Sequence, residues 1–321
     1  ALEFEVSDNF KGNVSVSNSG LIKVKTGFGG TGTIKIYPSS NYFFKNSGMS
    51  MDAKPYVMLK VVIANGQSKE TAIEIKTADQ FNKIAADKHY KLASDITLNS
   101  QFKTIKDKDK KFTGGLYGNG HTLTINSTLF DTLAGVVEDL VVSGTATGCA
   151  IANKNEGTIK NVSAIGLKIN AADLSGALVG SNEGKITADK QTEIDATISG
   201  KTVGGIAGTN SGSGKIENMI FAGSIVVSAA GGNVGGIAGT NSGTISCCSV
   251  IKYAETTNSN EARQLIKDEK GATAIGGIAG TNSGTIIKCL AARYGKDVWD
   301  IQTTSTRSVV GGIVGVTAGT I

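Results

Sequence analysis

Histidine, proline, tryptophan and cysteine are scarce: 321 residues hold 2 His, 2 Pro, 1 Trp and 4 Cys. The two histidines, His89 and His121, stand far apart with no HExxH and no cysteine pair at zinc spacing, so both read as structural and neither metal nor cofactor is expected. Long apolar runs are missing as well. None approaches the ~20 residues that cross a bilayer, and no signal peptide is read, so an exported protein of this sequence would be a mature or trimmed form. Acids are thin along the middle of the chain, where Glu217 stands alone between Ala196 and Ile251. Polysaccharide cleavage needs paired carboxylates or a calcium-held acidic cluster, and only Glu193 and Asp195, two apart on one strand face, offer a pair. With no recurring basic partner or third acid beside them, they read as a solvated face. The net charge of +5 is spread out except for KTIKDKDKK from Lys103 to Lys111. Asp107 and Asp109 interrupt that run and no aromatic is interleaved, which makes it a solvated loop and disfavours nucleic acid.

Glycine, by contrast, is abundant, with 43 residues, many at fixed places in a repeat. VGGIAGTNSG occurs at Val203 to Gly212 and again at Val234 to Gly243, and with Ile leading at Ile275 to Gly284. Weaker copies begin at Ala150, Gly176 and Val310, so one unit is stacked about six times, as in a solenoid. A phosphate loop is excluded because strands follow the glycines, and neither Lys-Ser/Thr nor a helix does. The Asn-x-Gly pattern places Asn155, Asn182, Asn210, Asn241 and Asn282 at one corner, with Gly157, Gly184, Gly212, Gly243 and Gly284 beside them. Left-handed backbone is expected there. The steps between these Asn are 27, 28, 31 and 41 residues, and 35 more reach Thr317. Three short strands and three corners fit about 27 residues, so the last two steps carry insertions. These are read as Lys252 to Ala272 and Arg293 to Ser308.

Beyond each corner the pattern alternates. Leu140, Val162, Met219, Cys248 and Cys289 share one column, and Val142, Ala164, Phe221, Val250 and Ala291 the next, while one unit departs with Asp189 and Gln191. This is one strand face turned into a core of parallel, in-register coils. Cys248 and Cys289 would then lie about 5 Å apart on successive coils. A disulfide is geometrically permitted there, although two buried thiols are favoured because the column is otherwise apolar. Cys247 points to the opposite face, and Cys149 lies far upstream.

Residues 1–68 carry no repeat and alternate as four or five strands of a small antiparallel sandwich, immunoglobulin-like or similar. Asn65 to Ser68 reads as the hinge to residues 69–321. Thr77-Ala78-Asp79-Gln80 has capping-box spacing and opens a short amphipathic helix near residues 77–87, carrying Phe81, Ile84 and Ala85 on one face to close the open end of the solenoid.

The GGIAG and ALVG segments resemble the GLUG motif, Gly-Leu-any-Gly, with Ile replacing Leu in four units and Leu178 keeping it. IEIKTADQFNKIAADKHYKLASDITL followed by FTGGLYGNGHTLTI is similar to the lead-in of such proteins, and the likeness covers roughly residues 71–321. The resemblance implies an all-β chain built as a right-handed parallel β-helix. It also implies an adhesin-like protein on the outer surface of Gram-negative bacteria, and the motif accompanies some surface proteases that cleave immunoglobulin A. It brings no catalytic residue.

The residues point to a non-enzymatic binding protein, and the resemblance implies that it is an extracellular, adhesin-like one whose ligand is a host or extracellular glycan or protein. A polysaccharide-active enzyme and a surface spacer are the alternatives. Tyr253, Arg293, Tyr294 and Trp299, in the two insertions, are the contact candidates, because aromatics and Arg carry most recognition energy. Trp299 could instead pack on the core with Ile301. Ile321 falls in mid-unit, so further chain or another surface is expected to cover that end.

Overall fold

The computed structural model describes residues 2–25, 28–38, 56–106, 109, 111–253, 265–294 and 301–321. They form two compact units, one of Ala1–Glu74 with Lys88–Tyr90 and one of Ile75–Asp87 with Lys91–Ile321.

In the first unit, strands Leu2–Val6, Gly30–Pro38 and Val57–Ile63 pair antiparallel, and Val14–Val16 pairs antiparallel with Ile22–Val24. Val14 and Ile34 on these strands, and Phe10 on the short turn Asp8–Phe10, are buried. Phe28 meets Phe10 edge-on at 5.9 Å.

The second unit is a parallel β-helix. Eight parallel strands, from Lys111–Phe112 through Ala207–Asn210 to Val314–Thr317, form one of its sheets. A second sheet of five strands begins only at Leu174–Gly176. That late start explains the coil lengths: Phe112 and Leu133 stack, as do Leu133 and Asn155, so the early coils are shorter than any repeat read from the sequence. Val137, Ile159, Ile186, Ile216, Ile245 and Ile286 stand one above another in the interior, each 0–2% exposed. Ile206, Ile237 and Ile278 form a second buried column, whose Ile278 N–H bonds the carbonyl of half-buried Ile313.

The helix that opens this unit is a single turn, Ala78–Phe81, rather than a segment running to residue 87. The Thr77 half of the capping box forms, with the Gln80 N–H donating to Thr77 Oγ1, while Gln80 Oε1 reaches one residue further back than the box requires and accepts from the Lys76 N–H. After Phe81 the amides of Lys83 and Ile84 bond three residues back, which tightens the chain and ends the helix. Phe81 is buried against Phe102. The Ala86 carbonyl then takes the N–H groups of Thr113 and Gly114, satisfying backbone of the first coil.

The asparagine corner forms, but its backbone is not left-handed. Asn155, Asn182, Asn210, Asn241 and Asn282 end extended strands, 0–2% exposed, and the amide Nδ2 of each of the first four donates to the next Oδ1 at 2.7–2.8 Å. The amides that follow bond carbonyls of the preceding coil, as Ser242 N–H does with Asn210 O, and this holds the corner out of the left-handed region. Glycine is needed there for space: a Cβ on Gly243 would lie 2.2 Å from the Gly214 carbonyl. That contact also corrects the alignment, since Gly214 and not Gly212 occupies the column. Left-handed residues mark the next corner instead, at Asp139, Asn161, Asn218, Cys247 and Lys288. Asn adopts this conformation at lower cost than Cys. Cys247→Asn is therefore expected to raise the unfolding free energy by about 0.5–1 kcal/mol, read from the urea midpoint.

The departing unit is a bulge. Thr187 pairs Glu217 while Thr192 pairs Met219, so the extra residues around Asp189 leave the ladder. Ile194 then fills the interior place beside Ala164 and Phe221.

Candidate ligand-contact surface

Both late insertions fall between the same pairs of strands on consecutive coils. Strands Ser249–Tyr253 and Leu290–Tyr294 pair in parallel register, with Lys252 opposite Arg293 and Tyr253 opposite Tyr294. The return strands Ile266–Asp268 and Ile301–Thr303 pair as well. In the coil beneath, Phe221 and Ile225 hold the equivalent places. Four residues of chain thus become sixteen from Val250 to Ile266 and ten from Ala291 to Ile301. The excess is therefore narrower than the sequence reading. Lys252, Tyr253, Arg293 and Tyr294 belong to coil strands, as do residues 266–268 and 301–303. For those first four the backbone alone is described, and Trp299 lies outside the described residues.

A residue missed in the sequence fastens the return strands. Asp268, 0% exposed, accepts from the N–H groups of Lys270 and Gly271 at Oδ1, and from the Ala272 N–H, Thr303 Oγ1 and Ser308 Oγ at Oδ2, all at 2.8–3.1 Å. Burial pushes its carboxyl upward, but the Ala272 and Gly271 amides, the Thr303 hydroxyl and the Lys270 amide outweigh it and hold it below the usual carboxylate value. A single Asp before Glu-Lys-Gly carries no sequence signal beyond a turn.

The remaining candidates are dispersed. Glu193 and Asp195 are exposed, and Asp195 Oδ2 accepts from the Gly166 N–H at 3.0 Å. Glu217 reaches Lys185 at 3.5 Å. Lys154 bridges Glu156 and Glu183 at 3.0 and 2.9 Å, and Lys111 meets Glu156 at 2.7 Å, so acids and bases of neighbouring coils offset one another outside the barrel. Such half-exposed pairs stabilise little. His121 Nδ1 contacts Asp95 of the neighbouring coil at 3.3 Å. The Thr122 N–H, and behind it His121, draw Asp95 downward. His89 lies in the first unit, where burial lowers it and Glu70 opposes that shift.

Among the described residues no group of three or more His, Cys, Asp or Glu could hold a metal. Of the charged run from Lys103, residues 107, 108 and 110 lie outside the described residues. All four cysteines are free thiols, and burial pushes Cys149 up to about 12. Buried Ser175, which interrupts a column of Val203, Val234 and Ile275, has a hydroxyl without a hydrogen-bond partner. No described helix is long and apolar enough to cross a membrane.

No protein-family model matches the sequence, and no curated protein does. A solved structure described as a "putative immunoglobulin A1 protease" from Bacteroides ovatus is similar, with a TM-score of 0.54 and 17% identity over 80% of this chain and 86% of that one. At that identity the likeness shows a shared fold: this chain is a parallel β-helix protein.

Proposed function

We propose that this protein is a non-enzymatic, adhesin-like protein of the bacterial cell surface, whose β-helix carries a recognition surface for an extracellular glycan or protein. The observation that carries this reading is the shared position at which consecutive coils, otherwise regular, each lengthen between paired strands. Extra residues in a solenoid fall outside the coil and often supply the binding face. Tyr253, Arg293, Tyr294 and Trp299 are the contact residues on this reading, and extracellular display is in keeping with the GLUG resemblance.

The test is a glycan and host-protein binding array with the intact chain and with a variant whose residues 254–264 are replaced by a short Gly-Ser link. The link leaves strands 249–253 and 266–268 and the Asp268 clamp in place. The unfolding free energy should change by less than about 1 kcal/mol, because coil stability rests on stacked neighbours, while binding to the array's ligand falls at least tenfold. Undiminished binding would move the site elsewhere on the solenoid. The neighbour described as a protease motivates one control: hydrolysis of immunoglobulin A1 or of a polysaccharide by the purified chain would overturn the non-enzymatic reading.

A further inference from the structure

Cys248 and Cys289 occupy the same place on consecutive coils, immediately before the strands that lead to the two insertions. Ser249 is opposite Leu290, whose N–H donates to the Cys248 carbonyl at 2.9 Å. The two thiols also share one orientation. Each donates to the carbonyl two residues before it, Ser246 or Ile287, at 3.3 Å, and contacts the preceding coil at Ile216 or Ile245, at 3.6 and 3.7 Å. Cys247 and Lys288, one residue earlier, are both left-handed, so the two corners turn alike and keep the cysteines level.

Strands in a sheet lie about 4.8 Å apart. That is inside the ~4.4–6.8 Å Cα separation a disulfide spans, while the Cβ separation favoured by an unstrained bond is ~3.5–4.5 Å, shorter than side chains in parallel register present. The bond can therefore close by a small inward shift of two thiols, and it closes under strain, the condition that makes disulfides easily reduced. The geometry points to Cys248 and Cys289 as a reversible thiol–disulfide site that, when oxidised, ties together the two coils carrying the insertions.

The two thiols are not equivalent. Cys248 is fully buried, and its hydrogen bond with Cys289 together with burial pushes it well above the ordinary thiol value. Cys289 is only partly buried, and the same hydrogen bond brings it down to about 7. Cys289 is thus the thiolate that attacks a low-molecular-weight disulfide such as oxidised glutathione. The reagent's S–S bond breaks, a mixed disulfide forms on Cys289, and one reagent thiolate leaves. Cys248 then attacks the Cys289 sulfur as its proton passes to the departing sulfur of the reagent, which leaves as the second reagent thiol. Two protein thiols become one S–S bond, and the two electrons reside in the two reagent thiols. The closed ring encloses strand 249–253, the first insertion and the return strand 266–268. Its formation does not depend on what the insertions bind.

The intact chain, equilibrated with glutathione at rising oxidised-to-reduced ratios, blocked with iodoacetamide and digested, tests this by peptide mass. Expected is a Cys248–Cys289 cross-linked peptide that accumulates with oxidation and disappears with dithiothreitol, with Cys247 alkylated throughout. Cys247→Ser should form the same cross-link. Cys248→Ser should instead hold a stable glutathione adduct on Cys289, and Cys289→Ser should leave Cys248 unmodified. No cross-linked peptide at any ratio, a persistent adduct on Cys289 in the parent chain, or a cross-link through Cys247 would overturn the assignment. Alkylation of Cys289 at neutral pH should be at least tenfold faster than that of Cys149, and equal rates would remove its role as the attacking thiol.

Discussion

Asn241→Leu is expected to lower the unfolding free energy by about 2–4 kcal/mol, although the side chain keeps nearly the same volume. Asn241 is 0% exposed, accepts from Asn210 Nδ2 at 2.7 Å and donates to Asn282 Oδ1 at 2.7 Å. Leucine removes an acceptor from one neighbour and a donor from the other. Asn210 Nδ2 keeps only contacts of 3.3 Å to the carbonyls of Gly214 and Thr244, and Asn282 Oδ1 keeps only the Gly284 N–H at 3.2 Å. Crowding does not explain the loss, because Leu133 already stands in this column beneath Asn155, fully buried. Asn282→Thr should cost less than half as much. Thr317 occupies the equivalent place one coil on, where its hydroxyl accepts from Asn282 at 3.3 Å, so a hydroxyl can replace one side of the ladder. Urea midpoints decide between outcomes: an unchanged midpoint for Asn241→Leu would show that the stacked amides contribute nothing beyond packing.

The ladder also shows what the sequence could and could not disclose. Register was legible, because Ile206, Ile237 and Ile278, each four residues before its Asn, can stack only if the coils are parallel and aligned, and they do stack. Backbone conformation was not. Asn-x-Gly signals either a left-handed turn or a close approach, and the choice rests on hydrogen bonds from the corner amides to the coil below, which no local pattern encodes. The extra Ser-Gly after Asn210 likewise hid Gly214 behind Gly212, because both satisfy the spacing. The shorter length of the early coils was not legible, since Phe112 and Leu133 stand where later coils carry the Asn, and the five-stranded sheet that lengthens those later coils begins only at Leu174. In the contact surface, the excess length was visible as a number, but its boundaries were drawn too wide because strands 266–268 and 301–303 are only three residues long.

Asp268→Ala is expected to cost about 3–5 kcal/mol, and the same carboxylate should make the base of the insertions sensitive to acid. Five donors converge on one fully buried side chain, and removing it leaves three backbone amides without their acceptor. Its folded value lies below the ordinary 3.8, so the unfolded chain takes up a proton first as pH falls. The contribution of the carboxylate is therefore complete above pH ~4, and it declines as pH drops through the lower, folded value. Asp268→Asn separates this from general acid unfolding: it keeps the size, but its amide meets the donors at Oδ2 with a further donor. The gap between parent and Asn variant should be widest near neutral pH and shrink steadily below pH ~4. Curves that stay parallel down to the acid limit would mean that Asp268 is not the titrating group. Because the carboxylate ties residues 270–272 to Thr303 and Ser308, ligand binding should decline over the same acidic range in the parent chain and be weak at every pH in the variant.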